Sequence, residues 1–227
     1  MEERRIIYDN FIAAKHRISD IHEHVQTLAE YASASSSILE CGVRSGNSTW
    51  AMVAGLLANS TKTKKLVSCD LIKDPSFEFR TPLVNKLIDF KFWIGNDLDY
   101  PDDENFDLIF IDTWHIYGHL KRELAKFAPM CNKYIIMHDT EIDSIFSESL
   151  RLNMDISKQS QESGYAVEEI CKGLHTAVRE FLDTHPEFKL KQRFTNCNGL
   201  TILERVSEER VKSDYWMGSK KLIDSDK

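Results

Sequence analysis

Apolar positions recur along the chain in two distinct periods. Five short runs, "SSILEC", "KKLVSCDL", "FKFWIG", "FDLIFID" and "KYIIMHDT", have the length and β-branched content of buried strands. Helical spacing fills the segments around them. Ile18, Ile21, Val25 and Leu28 form one stripe, and Asp20 and Glu23 stand at capping-box spacing, which predicts a helix over about 20–32. "NSTWAMVAGLLANS" is apolar nearly all round, as a helix packed between a sheet and another element should be. Residues 80–88 also read as helical. Ile116, Leu120, Leu124 and Phe127 stripe a helix that Pro129 closes. Leu174, Ala177, Val178 and Phe181 mark a last helix, and "EFKLKQRF" and "GLTILERV" flank "TNCN" as a closing hairpin.

Buried strands alternating with helices predict an α/β fold: a seven-stranded, mostly parallel sheet with helices on both faces and a C-terminal antiparallel hairpin. One domain is expected over residues 1–206, opening with a helical segment (1–33). Residues 141–170, with weak periodicity and many Ser and Gln, read as an insertion or lid. Residues 207–227 read as a polar tail in which Tyr215 and Trp216 are docking candidates.

Composition narrows the partners. A formal net charge of −7 and the lack of a dense Lys/Arg cluster argue against nucleic acid. No apolar run approaches the ~18 residues of a membrane span, and the start "MEERRIIYDNF" has no signal-peptide core. The cytoplasm is therefore the default location. Five cysteines (41, 69, 131, 171, 197) form an odd count without framework spacing, so reduced, partly buried thiols are expected, and no CxxC pair suggests zinc. The sequence is compatible with a homo-oligomer and does not fix the oligomeric state.

In such sheets ligands bind beyond the carboxyl ends of the strands. Those ends carry Glu40-Cys41-Gly42, Asp70, Gly95-Asn96-Asp97, Asp112 and His138-Asp139. The loop Gly42-Val43-Arg44-Ser45-Gly46 lacks the middle glycine of a dinucleotide fingerprint. The acid before it would repel phosphate. E-x-G-x-x-x-G-x-S instead suits a ligand without phosphate and with a cationic amino group, and S-adenosylmethionine has both properties. Glu40, Gly42, Gly46 and Ser48 are the candidate loop contacts. Asp70 is placed to accept from the ribose hydroxyls, and Asn96 or Asp97 to face the adenine edge.

With "ILECGVRSGNST", "LVSCDL", "FDLIFIDTWHIYGHLKRELAKFAP" and "YIIMHDT" in this order, the chain resembles the class I S-adenosylmethionine-dependent methyltransferases over about residues 18–140. The later "AVREFLDTHPEFKL" and "TNCNGLTILER" resemble the rhamnosyl O-methyltransferase and cephalosporin-hydroxylase-like group, which is similar to the macrolide sugar O-methyltransferases. The resemblance implies a Rossmann-like methyltransferase fold and O-methylation of a sugar hydroxyl, for example rhamnose or another deoxyhexose in a glycan or glycoside. A small-molecule or glycan acceptor follows. An alcohol acceptor needs a base, or a metal to stabilise the developing alkoxide. Asp112 and His138-Asp139 end two strands whose carboxylates can share Mg²⁺ or Mn²⁺ if the strands are neighbours. The resembling enzymes hold a divalent metal with an acid matching Asp112 and an acidic pair matching His138-Asp139; His138 departs from that pattern, as a ligand, a base or a structural residue. Because successive strand residues point to opposite faces, His138 and Asp139 can share a site only if the strand has ended there. In part of the group a histidine spaced as His115 is from Asp112 is the general base, with His119 one turn on as the fallback. Trp114, Tyr117 and Tyr165 are candidates to face a sugar ring, and Asn196 and Asn198 are open between acceptor contact and turn chemistry. Alternatives are a phenolic or catechol-like acceptor, a non-catalytic cofactor-binding module and a nicotinamide-linked enzyme.

Overall fold

The computed structural model describes residues 2–75 and 81–207. Its centre is a seven-stranded sheet of β1 (Ser37–Cys41), β2 (Lys65–Asp70), β3 (Asp89–Ile94), β4 (Phe106–Ile111), β5 (Cys131–His138), β6 (Phe188–Phe194) and β7 (Leu200–Arg205). The spatial order is β3-β2-β1-β4-β5-β7-β6. The first five strands pair in parallel. β7 runs antiparallel to both β5 and β6, so it alone opposes the rest. The expected sheet and closing hairpin are both present. The order reverses between β1 and β4, and the crevice at that switch point is where ligands bind in open α/β sheets.

Strand parity sorts the core into two layers. Ile38, Leu66, Phe90, Leu108, Phe110 and Ile136 point to one face. There they meet α1 (Glu2–His16), α2 (Val25–Ser33) and α3 (Asn47–Ala58), through Phe11, Leu28, Met52 and Leu56. Leu39, Val67, Ile109, Ile111, Ile135 and Met137 point to the other face. They pack on α5 (Tyr117–Phe127) and α9 (Leu174–Thr184), through Leu120, Leu124, Ala177 and Phe181. A short α4 (Thr81–Asn85) precedes β3.

The N-terminal segment is helical but not in the expected form. The capping box at Asp20 and Glu23 does not form: a 3₁₀ turn, His22–His24, leads into α2 with no side-chain cap. Tertiary partners take both acids instead, Asp20 pairing with Arg44 at 2.5 Å and Glu23 accepting from Asn196. Ahead of them lies the long α1, which the stripe did not resolve; it buries only Ile7, Phe11 and Ala14. Within residues 141–170 the chain forms α6 (Glu148–Arg151) and α7 (Ile156–Ser163) and enters α8 (Val167–Cys171). An isolated bridge joins Phe146 to Lys172 at the neck of this excursion. Tyr215, Trp216 and the rest of the tail lie outside the described residues.

Candidate active site at the strand carboxyl ends

A cavity of about 560 Å³ opens over the carboxyl ends of β1 to β4, with Gly42, Asp70, Asn96, Asp97 and Asp112 on its wall. Gly42 is required by close approach. Its φ is +87°, and a Cβ there would stand 1.9 Å from the Asp112 carbonyl oxygen, because the end of β4 folds directly against the loop. Asp70 shapes the same loop: its Oδ2 accepts from the amides of Val43 (2.8 Å) and Arg44 (3.0 Å). One carboxylate oxygen expected at the ribose is thus already holding loop backbone. Asn96 caps the short turn Asp97–Asp99 by accepting from the Leu98 amide. Gly46 is the N-cap of α3, and Ser48 borders a smaller cleft beside the loop.

Glu40 lies beneath the cavity rather than on its wall. Its parity is that of Ile38, so the side chain points under the first turn of α3. It is fully buried and accepts from Ser48 Oγ (2.6 Å), Thr49 Oγ1 (2.9 Å) and Ser68 Oγ (2.5 Å). Burial raises this carboxyl to about 7, against the opposing pull of the three hydroxyls. The sequence showed an acid at a strand end but not the hydroxyl nest that receives it.

The floor beside β4 and β5 is densely charged. β5 ends at His138, and Asp139 turns into the left-handed region with φ +54°. That turn breaks the alternation and brings both side chains to Asp112: His138 Nδ1 stands 3.2 Å from Asp112 Oδ1 and 3.5 Å from Asp139 Oδ2. His138 Nε2 donates to the carbonyls of Asp20 (3.1 Å) and Cys197 (3.2 Å), which fixes Nδ1 toward the acids. Burial opposes its charge, but the Asp112 and Asp139 carboxylates raise it to about 11. Asp112 is in turn held well below the usual carboxylate range by His138 and His115, despite burial.

His115 has carboxylates around both ring nitrogens. Nε2 is 3.2 Å from Asp112 Oδ1, while Nδ1 lies 3.1 Å from Asp139, 3.5 Å from Asp143 and 3.6 Å from Glu148. Burial would lower its pKa; the Asp112 contact and the Asp143 and Asp139 carboxylates beside Nδ1 raise it to about 10. Asp143 is fully buried and held by Arg151 through two bonds of 2.7 and 2.8 Å. Sequence reading missed Asp143, Glu148 and Arg151, whose only signal was acid spacing after Asp139 in a segment without periodicity.

The 141–170 excursion covers one side of the cavity. Tyr165 stacks on Trp114 at 5.8 Å, lies under the Arg122 guanidinium at 4.2 Å, and meets His119 Nδ1 through its hydroxyl at 3.1 Å. Trp114 and Tyr165 both face the cavity. Tyr117 does not: it packs in the α5–α9 core with its hydroxyl on Glu180. Asn196 and Asn198 serve the turn, accepting through their carbonyls from His24 and from the Glu141 and Ile142 amides.

Known proteins share this fold. Residues 39–140 match a family model described as a methyltransferase domain. No curated protein matches the chain in sequence. Among solved structures, the chain is similar to an O-methyltransferase of Bacillus cereus in complex with S-adenosylhomocysteine, at 16% identity and TM-score 0.54 over 91% of each chain. An S-adenosylhomocysteine-bound methyltransferase of Podospora anserina aligns over 88% of each chain at 13% identity and TM-score 0.56. An O-methyltransferase of Streptomyces achromogenes involved in tomaymycin synthesis, in complex with S-adenosylmethionine, aligns over 87% of this chain and 90% of its own at 13% identity and TM-score 0.53. No helix of the described residues is long and apolar enough to cross a membrane. Residues 39–140 thus match a methyltransferase domain, and they lie within a sheet whose fold the solved methyltransferases share.

Proposed function

We propose that the protein is an S-adenosylmethionine-dependent O-methyltransferase acting on a sugar hydroxyl, such as that of a deoxyhexose in a glycan or glycoside. The observation that carries the reading is the junction of two features at Asp112, the member of the charged cluster that lines the cavity. A loop held by Asp70 suits the nucleoside, and the Asp112–His115–Asp139 cluster next to it suits deprotonation of an alcohol. Trp114 and Tyr165 add aromatic faces with polar edges, the surface that a sugar ring takes.

In the reaction the acceptor oxygen attacks the sulfonium methyl in line; the new C–O bond forms as the C–S bond breaks, and its electron pair stays on sulfur. The hydroxyl proton must leave to a base. His115 is the candidate, and only its neutral form accepts a proton. The carboxylates around it keep it protonated at neutral pH unless their charge is compensated. The residues fit a divalent cation that would do so. Ligand atoms of Asp112, His138 and Asp139 lie within 4.8 Å of one another, and Asp139 Oδ1 is buried without a partner. Such an ion would supply positive charge next to the developing alkoxide; its imidazole ligand favours Mn²⁺ over Mg²⁺.

Calorimetric titration with S-adenosylhomocysteine tests the cofactor. Micromolar binding that weakens at least tenfold in Asp70→Ala is expected; equal binding in the variant would remove Asp70 from the site. Turnover of sugar acceptors that survives both Asp112→Asn and His115→Ala would end the proposed chemistry. A phenolic acceptor, being more acidic, would show a rate that tolerates loss of His115.

A further inference from the structure

A second convergence of ligand-type atoms, Asp97, His119 and Glu123, shares none of its residues with the Asp112–His138–Asp139 cluster. Asp97 opens the short turn after β3, and His119 and Glu123 stand at i, i+4 on one face of α5. All three are buried, at 5%, 6% and 1% exposure. His119 Nε2 is 3.2 Å from Asp97 Oδ1 and 3.8 Å from Glu123 Oε1. Ligand atoms of the three residues all lie within 4.8 Å of one another. These spacings approach those between neighbouring ligands of one metal ion whose bonds are about 2.0–2.2 Å long.

Hydrogen bonding leaves one acceptor of this cluster unmatched. Two carboxylates share a buried space at the cavity edge, and Asp97 Oδ2 is buried with no hydrogen-bond partner. Thr113 Oγ1 donates to Glu123 Oε1 at 2.6 Å. The outer ring nitrogen of His119 faces the Tyr165 hydroxyl at 3.1 Å. That contact turns Nε2 inward, as the hydrogen bond on the far ring nitrogen of a metal-binding histidine does. Burial and the Asp97 charge push the Glu123 carboxyl well up, the response of an acid forced to share its site with another. Asp97 and His119 both border the cavity, so an ion has a path in.

We propose that Asp97, His119 and Glu123 form a divalent-cation site, separate from the Asp112–His138–Asp139 cluster, suited to Zn²⁺, Co²⁺ or Mn²⁺. One imidazole with two carboxylates favours these ions over Mg²⁺, which keeps most of its water and prefers all-oxygen shells. The ion would pin the turn after β3 to α5 and so brace the wall where the adenine edge is expected. The site does not depend on the methyl-transfer reading, because it is tested with metal alone.

The test is cobalt. Crystals of the full chain soaked in CoCl₂ without cofactor should show an anomalous peak at ligand distance from His119 Nε2, Asp97 and Glu123. In solution, Asp112→Asn/Asp139→Asn should retain one cobalt equivalent with an imidazole-ligand visible spectrum. Adding Glu123→Gln to that background should weaken it at least tenfold. A peak confined to the Asp112 cluster, or no cobalt in the double variant, would overturn the proposal and leave Asp97 and Glu123 as an acid pair sharing a proton. If the Glu123 variant fails to fold, the anomalous map of the unaltered chain decides.

Discussion

Replacing Glu40 by glutamine should flatten part of the protein's stability–pH curve. Glu40 has no exposed surface, and burial raises its carboxyl from the ordinary 4.5 to about 7. In the unfolded chain the same group titrates near 4.5. Between these values the unfolded state has given up the proton and the folded state has kept it. The unfolded state then binds fewer protons, so stability falls as pH rises through this window. At about 1.4 kcal/mol per pH unit, the interval from 4.5 to about 7 corresponds to a loss of about 3 kcal/mol, complete above pH 7. Glu40→Gln removes the titration while keeping the shape, and the hydroxyls of Ser48, Thr49 and Ser68 can rotate to accept from the amide. Urea-unfolding midpoints of both proteins between pH 4 and 8 give the comparison. The variant should gain about 3 kcal/mol relative to the wild type across that range. Parallel curves would refute the reasoning, since they would mean that Glu40 ionises equally in both states.

Three other substitutions probe the same region. Gly42→Ala forces a Cβ against the Asp112 carbonyl and a side chain into the left-handed region, so it should cost more than about 2 kcal/mol in urea unfolding; a loss below half of that would show that the loop can move away from β4. Arg151→Met leaves Asp143 charged and buried without its bidentate partner, and a loss of about 3 kcal/mol is expected by thermal or urea unfolding. His138, raised to about 11, contributes stability that is complete below the ordinary histidine value near 6.5 and drains away as pH rises toward 11. With chelator present, the wild type should therefore lose stability between pH 7 and 10 more steeply than His138→Gln, and identical slopes would refute the ion pairing.

Much of the sheet was legible because a strand buried on both faces must be apolar throughout, as β1, β2, β4 and β5 nearly are. Asn47–Ala58 was legible for the same reason. α1 was not, since a helix that buries Ile7, Phe11 and Ala14 and exposes most of the rest leaves a faint stripe. The Asp20–Glu23 spacing misled because local capping lost to distant partners, Arg44 and Asn196. At the site, acids at strand ends led to Asp70 and Asp112, which both line the cavity. What they do depends on contacts that no local pattern encodes. Glu40 is decided by three hydroxyls, one of them on another strand. His138 and Asp139 meet only because Asp139 takes a left-handed turn. Asp143 belongs to a segment whose helices are too short to show a period.

The neck of the 141–170 excursion has a consequence for how this protein can change. The chain leaves and returns through one point, where Phe146 bridges Lys172 and Gly173 lies so close to the Asp143 and Ser144 carbonyls that a Cβ would stand 2.4 Å from the first. A loop whose two ends already touch can lengthen at small entropic cost. It can lengthen between its fixed contacts, Glu148 with His115, Arg151 with Asp143 and Tyr165 with His119, while the sheet and the glycine loop stay in register. The scaffold thereby joins a fixed sheet to a cover that can grow between the few contacts that anchor it.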